Sequence, residues 1–127
     1  MSGIVLDASA LIAFMRDEPG GDSVANVLSD AIISSVNLSE VGAHFADHGY
    51  DSAEAIADIR SLPLVIEPFD TSDAEAASAL RSRTRMAGLS LGDRACLALA
   101  QRLAAPAWTT DRAWKRLQID VEIKLMR

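Results

Sequence analysis

Along this chain the apolar positions recur with two periods, one suited to strands and one to helices. Residues 4–6 form a short apolar run ending at Asp7, which predicts a strand. Residues 9–15 (Ser-Ala-Leu-Ile-Ala-Phe-Met) predict a short helix, stopped by Asp17-Glu18-Pro19-Gly20-Gly21. Val24, Val27 and Leu28 lie on one stripe and predict a helix over 22–29, with a second strand at 31–35. Leu38, Val41, His44 and Phe45 recur at i, i+3, i+6 and i+7, a helical face. Ala55, Ile56 and Ile59 give another helix over 51–62, closed by Pro63, and 64–66 predicts a third strand. The Ala-rich stretch 72–87 predicts an amphipathic helix with Gly88 as its stop. Residues 90–103 predict a helix apolar almost all round, and therefore buried. A fourth strand at 107–109, a short helix at 111–117 and a last strand at 121–125 complete the pattern.

Strands that alternate with helices predict an α/β fold, a central parallel sheet with helices on both faces. The 127 residues suit one domain spanning 1–127, without internal repeat or linker. Half the residues are hydrophobic, enough for a continuous core and against a disordered chain. No stretch approaches the roughly 18 apolar residues of a membrane span. The start, Met1 to Asp7, has neither a basic region nor a long apolar run, so no signal peptide is expected. A single cysteine, Cys96, allows no internal disulfide and reads as a core residue. The expected setting is a soluble cytoplasmic protein.

The net charge of -6 argues at first against a nucleic-acid partner. Two features weaken that argument. Ten of the twelve basic residues are arginine, the side chain that grips phosphate in a fork. Carboxylates gathered around a metal also count toward the ion rather than toward the surface.

Parallel sheets bind ligands beyond the carboxyl ends of their strands. Acids stand at four such positions: Asp7 after the first strand, Glu40 early in the helix after the second, Asp93 in the first turn of the buried helix, and Asp111 after the fourth strand. Helix capping competes as an explanation. Asn37-Leu38-Ser39-Glu40 and Ser90-Leu91-Gly92-Asp93 both have the form of capping boxes, and Asp7 and Asp111 can cap the helices that follow. Capping does not explain an acid heading an almost wholly apolar helix, where a buried carboxylate needs a partner or a cation.

Four segments carry a resemblance: Val5-Leu6-Asp7-Ala8-Ser9-Ala10-Leu11, Val36-Asn37-Leu38-Ser39-Glu40-Val41, the block from Gly88 to Ala100 containing Gly92-Asp93-Arg94-Ala95, and Thr109-Thr110-Asp111-Arg112-Ala113-Trp114. In this order they resemble the four motifs of PIN-domain ribonucleases, and more narrowly those of VapC toxins from bacterial type II toxin–antitoxin pairs. The resemblance implies a metal-dependent endoribonuclease in which Asp7, Glu40, Asp93 and Asp111 hold Mg²⁺, with Mn²⁺ able to substitute. It implies Ser9 and Thr109 as supports of the site. Implied partners are an RNA substrate, a VapB-like DNA-binding antitoxin and a second copy of the chain, in a homodimer and a toxin–antitoxin hetero-oligomer. Arg94 and Arg112 each follow a proposed metal acid and are expected at the rim of the groove, facing RNA or antitoxin, with Leu11, Ile12 and Phe14 building a wall. Trp108 departs from the aliphatic residue usual there, and either narrows the pocket or fills core.

Other readings fit less well. His44 and His48 have zinc-ligand spacing but no third ligand. For Arg81, Arg83 and Arg85 a solvated face is at least as good a reading as an RNA-contacting one, and Trp114 reads as core before a base-stacking platform. An aspartate-dependent phosphatase would need an Asp where Ser9 stands, and a receiver domain would need a lysine after a late strand. A catalytically silent PIN-fold binding module is the remaining alternative, and the presence of all four acids speaks against it.

Overall fold

A computed structural model describes residues 3–127. The leaderless reading of the N-terminus includes Met1 and Ser2, which lie outside the described residues. Five strands form one parallel sheet: β1 (Ile4–Leu6), β2 (Ala31–Ser34), β3 (Val65–Glu67), β4 (Ala107–Thr109) and β5 (Ile123–Leu125), in the order β3-β2-β1-β4-β5. The chain builds outward from β1 to β3, then returns to the other side of β1 for β4 and β5. β1 is therefore central, and the topology changes direction beside its carboxyl end, where open parallel sheets bind ligands.

The period of two in the strands sorts the core into two layers. Val5, Ile32 and Ala107 face α5 (Thr71–Ala79) and α7 (Leu91–Leu103). Leu6, Ala31 and Ile33 face α1 (Ala8–Met15), α2 (Gly21–Ala25), α3 (Ser35–Asp47) and α4 (Ser52–Arg60). The predicted helices on both faces are present. Gly92 and Ala95 to Ala100 of α7 are buried, which accounts for its wide apolar face. Cys96 and Trp114 are fully buried, as expected of core residues. No described helix is long and apolar enough to cross a membrane.

Four predicted helices differ in shape, the one over 22–29 being α2 followed by a 3-10 turn, Leu28–Asp30. α3 begins at Ser35, three residues before its apolar stripe, because the Ser34 hydroxyl accepts from the Val36 N–H and caps it. The stretch 72–87 is three pieces: α5, the short α6 (Arg81–Thr84) and a 3-10 turn, Arg85–Ala87. The buried Thr84 hydroxyl donates to the Leu80 carbonyl, the back-bonding that disturbs helices, and Gly88 closes the turn at φ +70°. The segment predicted helical at 111–117 is likewise a 3-10 helix, Arg112–Arg116.

Candidate functional site

Asp7 leaves the end of β1 with a backbone that cannot yet be helical (φ -83°, ψ 177°), and its carboxylate caps α1. Oδ1 accepts from the Ala10 N–H (2.8 Å) and the Ser9 hydroxyl (2.7 Å), while Oδ2 accepts from the Thr109 hydroxyl (2.6 Å). The two hydroxyls are themselves fixed from β4 onward: Thr110 N–H donates to Ser9 Oγ, and Asp111 N–H to Thr109 Oγ1, both at 3.0 Å. Ser9 and Thr109 thus tie the ends of the central strands around one carboxylate. That carboxylate is 4% exposed, and burial raises its pKa to about 6 against the three hydrogen bonds, with a smaller push from the Asp93 charge.

Asp93 closes a capping box on α7. Ser90 Oγ accepts from the Asp93 N–H, and Asp93 Oδ2 accepts from the Ser90 N–H (3.0 Å). Its pKa is raised by partial burial, opposed by the Ser90 bonds, and raised again by the Asp111 charge. Glu40 is no cap: α3 starts at Ser35, so this acid sits within the helix, held by Asn37 Nδ2 at 2.8 Å. Asn37 is buried and also donates to the Gly92 carbonyl (3.0 Å), so one amide aligns α3 with α7. Desolvation raises the Glu40 pKa, the Asn37 bond lowers it, and the Asp93 charge raises it. Asp111 is exposed and caps the 3-10 helix through the Ala113 N–H (2.9 Å).

These four acids line one open pocket of about 310 Å³ together with Ala8, Ser9, Ile12 and His44. Asp93 is its electrostatic centre, since its charge acts on Asp7 and Glu40 and it feels that of Asp111. No Lys or Arg lines the pocket, and among the described residues none of the four acids is in a salt bridge. Nor do any three His, Cys, Asp or Glu side chains there converge tightly enough to enclose an ion by themselves. The donor set is one of hard oxygens with unbalanced negative charge, which could hold a divalent cation through a partial shell of ligands. Cys96 lies beneath; burial, then the charges of Asp7, Asp93 and Glu40, push its thiol up and leave it inert.

Several expected neighbours lie elsewhere. Arg94 turns its guanidinium away, donating to the Ala77 carbonyl of α5 (3.0 Å), because adjacent helical positions point about 100° apart. Its expected place at the rim is therefore corrected. Arg112 is exposed beside Asp111 but outside the pocket lining. Leu11 is wholly buried and Phe14 packs into the core, so only Ile12 builds the wall. Trp108 fills core on the α1 to α4 face rather than narrowing the pocket.

Sequence reasoning missed three contributors. Asn37 and Gly92 flank Glu40, and a Cβ on Gly92 would overlap the Glu40 carboxylate. A glycine in the first turn of a strongly apolar helix, where alanine is favoured by about 1 kcal/mol, was the available signal. His44 lines the pocket with its Nε2 3.2 Å from Arg16 Nη1, so this nitrogen is engaged by Arg16.

The sequence matches the family described as PIN domain over residues 4–120. No curated protein matches it. Among solved structures, it is similar to VapBC2 from Rickettsia felis bound to a promoter DNA fragment (TM-score 0.73, 18% identity, 95% of this chain and 96% of the other). It is also similar to Mycobacterium tuberculosis VapC20, a Sarcin-Ricin loop cleaving toxin (TM-score 0.72, 18% identity, 94% and 99%). A third is FitAcB from Neisseria gonorrhoeae (TM-score 0.72, 19% identity, 97% of each chain). At these identities the likeness speaks for the fold.

Proposed function

The chain belongs to the PIN-domain family, and from that premise we propose that it is a metal-dependent endoribonuclease, the toxin of a toxin–antitoxin pair acting on RNA in the cytoplasm. One observation carries this reading: four carboxylates from separate strand ends and helices line a single pocket that holds no cationic side chain. Such a pocket repels a phosphodiester unless a cation occupies it. Mg²⁺ suits the donors, because it takes one or two carboxylates and keeps several waters; Mn²⁺ would substitute. Held by Asp7, Glu40, Asp93 and Asp111, it would lower the pKa of a water and balance charge on the phosphate.

The chain's own residues supply position. Ser9, Thr109 and the Ala10 N–H fix both oxygens of Asp7. Asn37 fixes Glu40, and Ser90 fixes Asp93, so three of the four acids are held before any ligand arrives. VapC20 is named as a Sarcin-Ricin loop cleaving toxin, and a similar structure from Klebsiella pneumoniae as a toxin–antitoxin complex, which supports RNA as substrate and an antitoxin as partner. A homodimer and a larger complex with antitoxin belong to the same reading.

The test is incubation of the purified chain with total cellular RNA in Mg²⁺, Mn²⁺ and EDTA, with new 5′ ends mapped. Discrete cleavage in either metal, lost in EDTA and in Glu40→Gln, is expected. Undiminished cleavage in EDTA would overturn the metal-dependent reading. Growth arrest on expression of the chain alone, relieved by the adjacent small reading frame, tests the toxin assignment.

A further inference from the structure

Six of the twelve Lys and Arg residues fall in two short segments: Arg81, Arg83 and Arg85 on α6 and the turn after it, and Arg112, Lys115 and Arg116 on the 3-10 helix after β4. The segments lie far apart in sequence but pack against each other. All six side chains are exposed, neither segment carries an acid, and among the described residues none of the six is in a salt bridge. Among the described residues only Arg81 has a hydrogen-bond partner, the Leu89 carbonyl at 3.4 Å, while Arg83 lies within reach of the exposed Asp120 charge. The rest of the chain then holds six basic residues against eighteen acidic ones. Positive charge is concentrated on one ridge of an otherwise strongly acidic molecule.

Each segment of the ridge is adjacent in sequence to an acid of the pocket. The first segment runs through Gly88 and Leu89 into Ser90 and Asp93, and the second starts directly after Asp111. Between the segments is a hollow of about 290 Å³, lined by Arg83, Met86, Ala87, Arg116 and Leu117. Met86 is 98% exposed there, an apolar side chain left in water in the same hollow as Arg83 and Arg116. Paired arginines beside apolar side chains suit a nucleotide, whose phosphate takes one guanidinium fork and whose base lies on the other guanidinium plane against Met86.

We propose that this ridge is the RNA-binding track of the protein: it holds the single-stranded chain flanking the cleaved bond, with Arg83 and Arg116 gripping one nucleotide in the hollow. The proposal rests on the ribonuclease reading for its substrate and adds the surface that reading lacks. Outside the ridge the chain carries eighteen acids against six basic residues, so an approaching phosphate is drawn to the ridge. An acidic protein is the competing occupant of such a surface. RNA is favoured because both segments continue in sequence into acids of the proposed cleavage site and because the arginines share their hollow with an exposed apolar side chain, Met86.

Two double variants test it, Arg83→Gln with Arg116→Gln, and Arg85→Gln with Lys115→Gln. Arg60→Gln, on α4, serves as the remote control. All replaced side chains are exposed, so thermal melting should be unchanged within error. Binding of a short labelled single-stranded RNA is measured in Ca²⁺ across a salt series, and cleavage kinetics in Mg²⁺. Each double variant should weaken binding about tenfold or more and flatten the slope of log K against log salt by about 1.4, for two lost phosphate contacts. KM for RNA should rise with kcat unchanged, since the contact serves ground state and transition state alike. Unchanged RNA affinity and salt slope in both variants would overturn the proposal. So would loss of polyglutamate binding with RNA binding intact, which would mark a protein surface. Ridge-dependent RNA binding with no cleavage in any metal would leave the track standing and sink the ribonuclease reading. Cleavage with undiminished KM would do the reverse.

Discussion

Asp7 and Asp111 each stand just past the end of a strand, each caps the segment that follows, and both face the same pocket, yet their surroundings differ sharply. Asp7 leaves the central strand, is almost sealed from water, and has both oxygens occupied by two hydroxyls and an amide. Asp111 leaves β4, is exposed, and makes one cap bond. The same residue at equivalent positions is an expensive fixed charge in one case and an inexpensive adjustable one in the other. Burial raises the Asp7 pKa to about 6, so this acid is held at a cost that capping alone does not justify. Retaining a carboxylate there points to function more strongly than does its presence at Asp111.

The largest expected effect follows from that asymmetry. Asp7→Asn should reduce RNA cleavage by about a hundredfold or more, since even outer partners of metal ligands are worth 10–100-fold. Asp111→Asn, at the solvated end, should cost about tenfold. Initial rates on one RNA substrate at saturating Mg²⁺ compare the two. An Asp111 variant more damaged than the Asp7 variant would reverse the ranking.

Next comes Glu40, whose position depends on its neighbours. Gly92→Ala places a methyl group where the Glu40 carboxylate sits, and the far end of a flexible side chain can move aside. Cleavage should fall by about tenfold while stability stays the same or improves, because alanine is the better helix residue by about 1 kcal/mol. Asn37→Ala should lower both, since it releases Glu40 and leaves the Gly92 carbonyl without its partner. A Gly92→Ala protein with full activity would show that Glu40 need not be held where it is.

The buried end also has a pH signature. Asp7 has a folded-state pKa of about 6 against an ordinary 3.8, so the folded protein binds this proton more tightly than the unfolded chain. Above pH 6 both states are ionised and the penalty is full, at most about 3 kcal/mol for such a shift. As pH falls from 6 toward 4 the penalty disappears. Metal-free Asp7→Asn should therefore be more stable than the parent at pH 7, with the gain vanishing near pH 4, by urea melts in EDTA. A gain that is constant with pH would mean that desolvation of the carboxylate is not its source.

The strands, the layering and all four acids were legible in the sequence because each follows from local pattern: period-two apolar runs, and an acid just after them. What was not legible depends on contacts across the fold. Asn37 reaches Gly92 over 55 positions, and its role is invisible from either segment alone. Arg94 was placed at the site because it follows Asp93, but neighbours on a helix face different directions. The stretch 72–87 has an unbroken helical pattern, and the break comes from Thr84 turning inward onto Leu80. Capping and a place at the pocket, set against each other as alternatives, coexist at Asp7, Asp93 and Asp111.

That coexistence fixes the smallest expected effect, at Asp93. Its carboxylate caps α7 through the Ser90 N–H, which favours keeping it, and it sits among the charges of Asp7, Glu40 and Asp111, which favours losing one. A cap contributes about 0.5–2 kcal/mol, but asparagine retains an oxygen that can accept the same bond, so only part of that is lost. The repulsion acts across an open pocket and is screened by water, which makes it comparable to the remaining loss. Asp93→Asn in EDTA should therefore melt within about 0.5 kcal/mol of the parent, well short of the gain from Asp7→Asn at pH 7. Mg²⁺ separates the roles: it stabilises whatever folded site binds it, with a gain that grows as the logarithm of its concentration. The parent should show that gain and Asp93→Asn should lose most of it. Equal Mg²⁺ shifts in the two proteins would mean that Asp93 is a helix cap and nothing more.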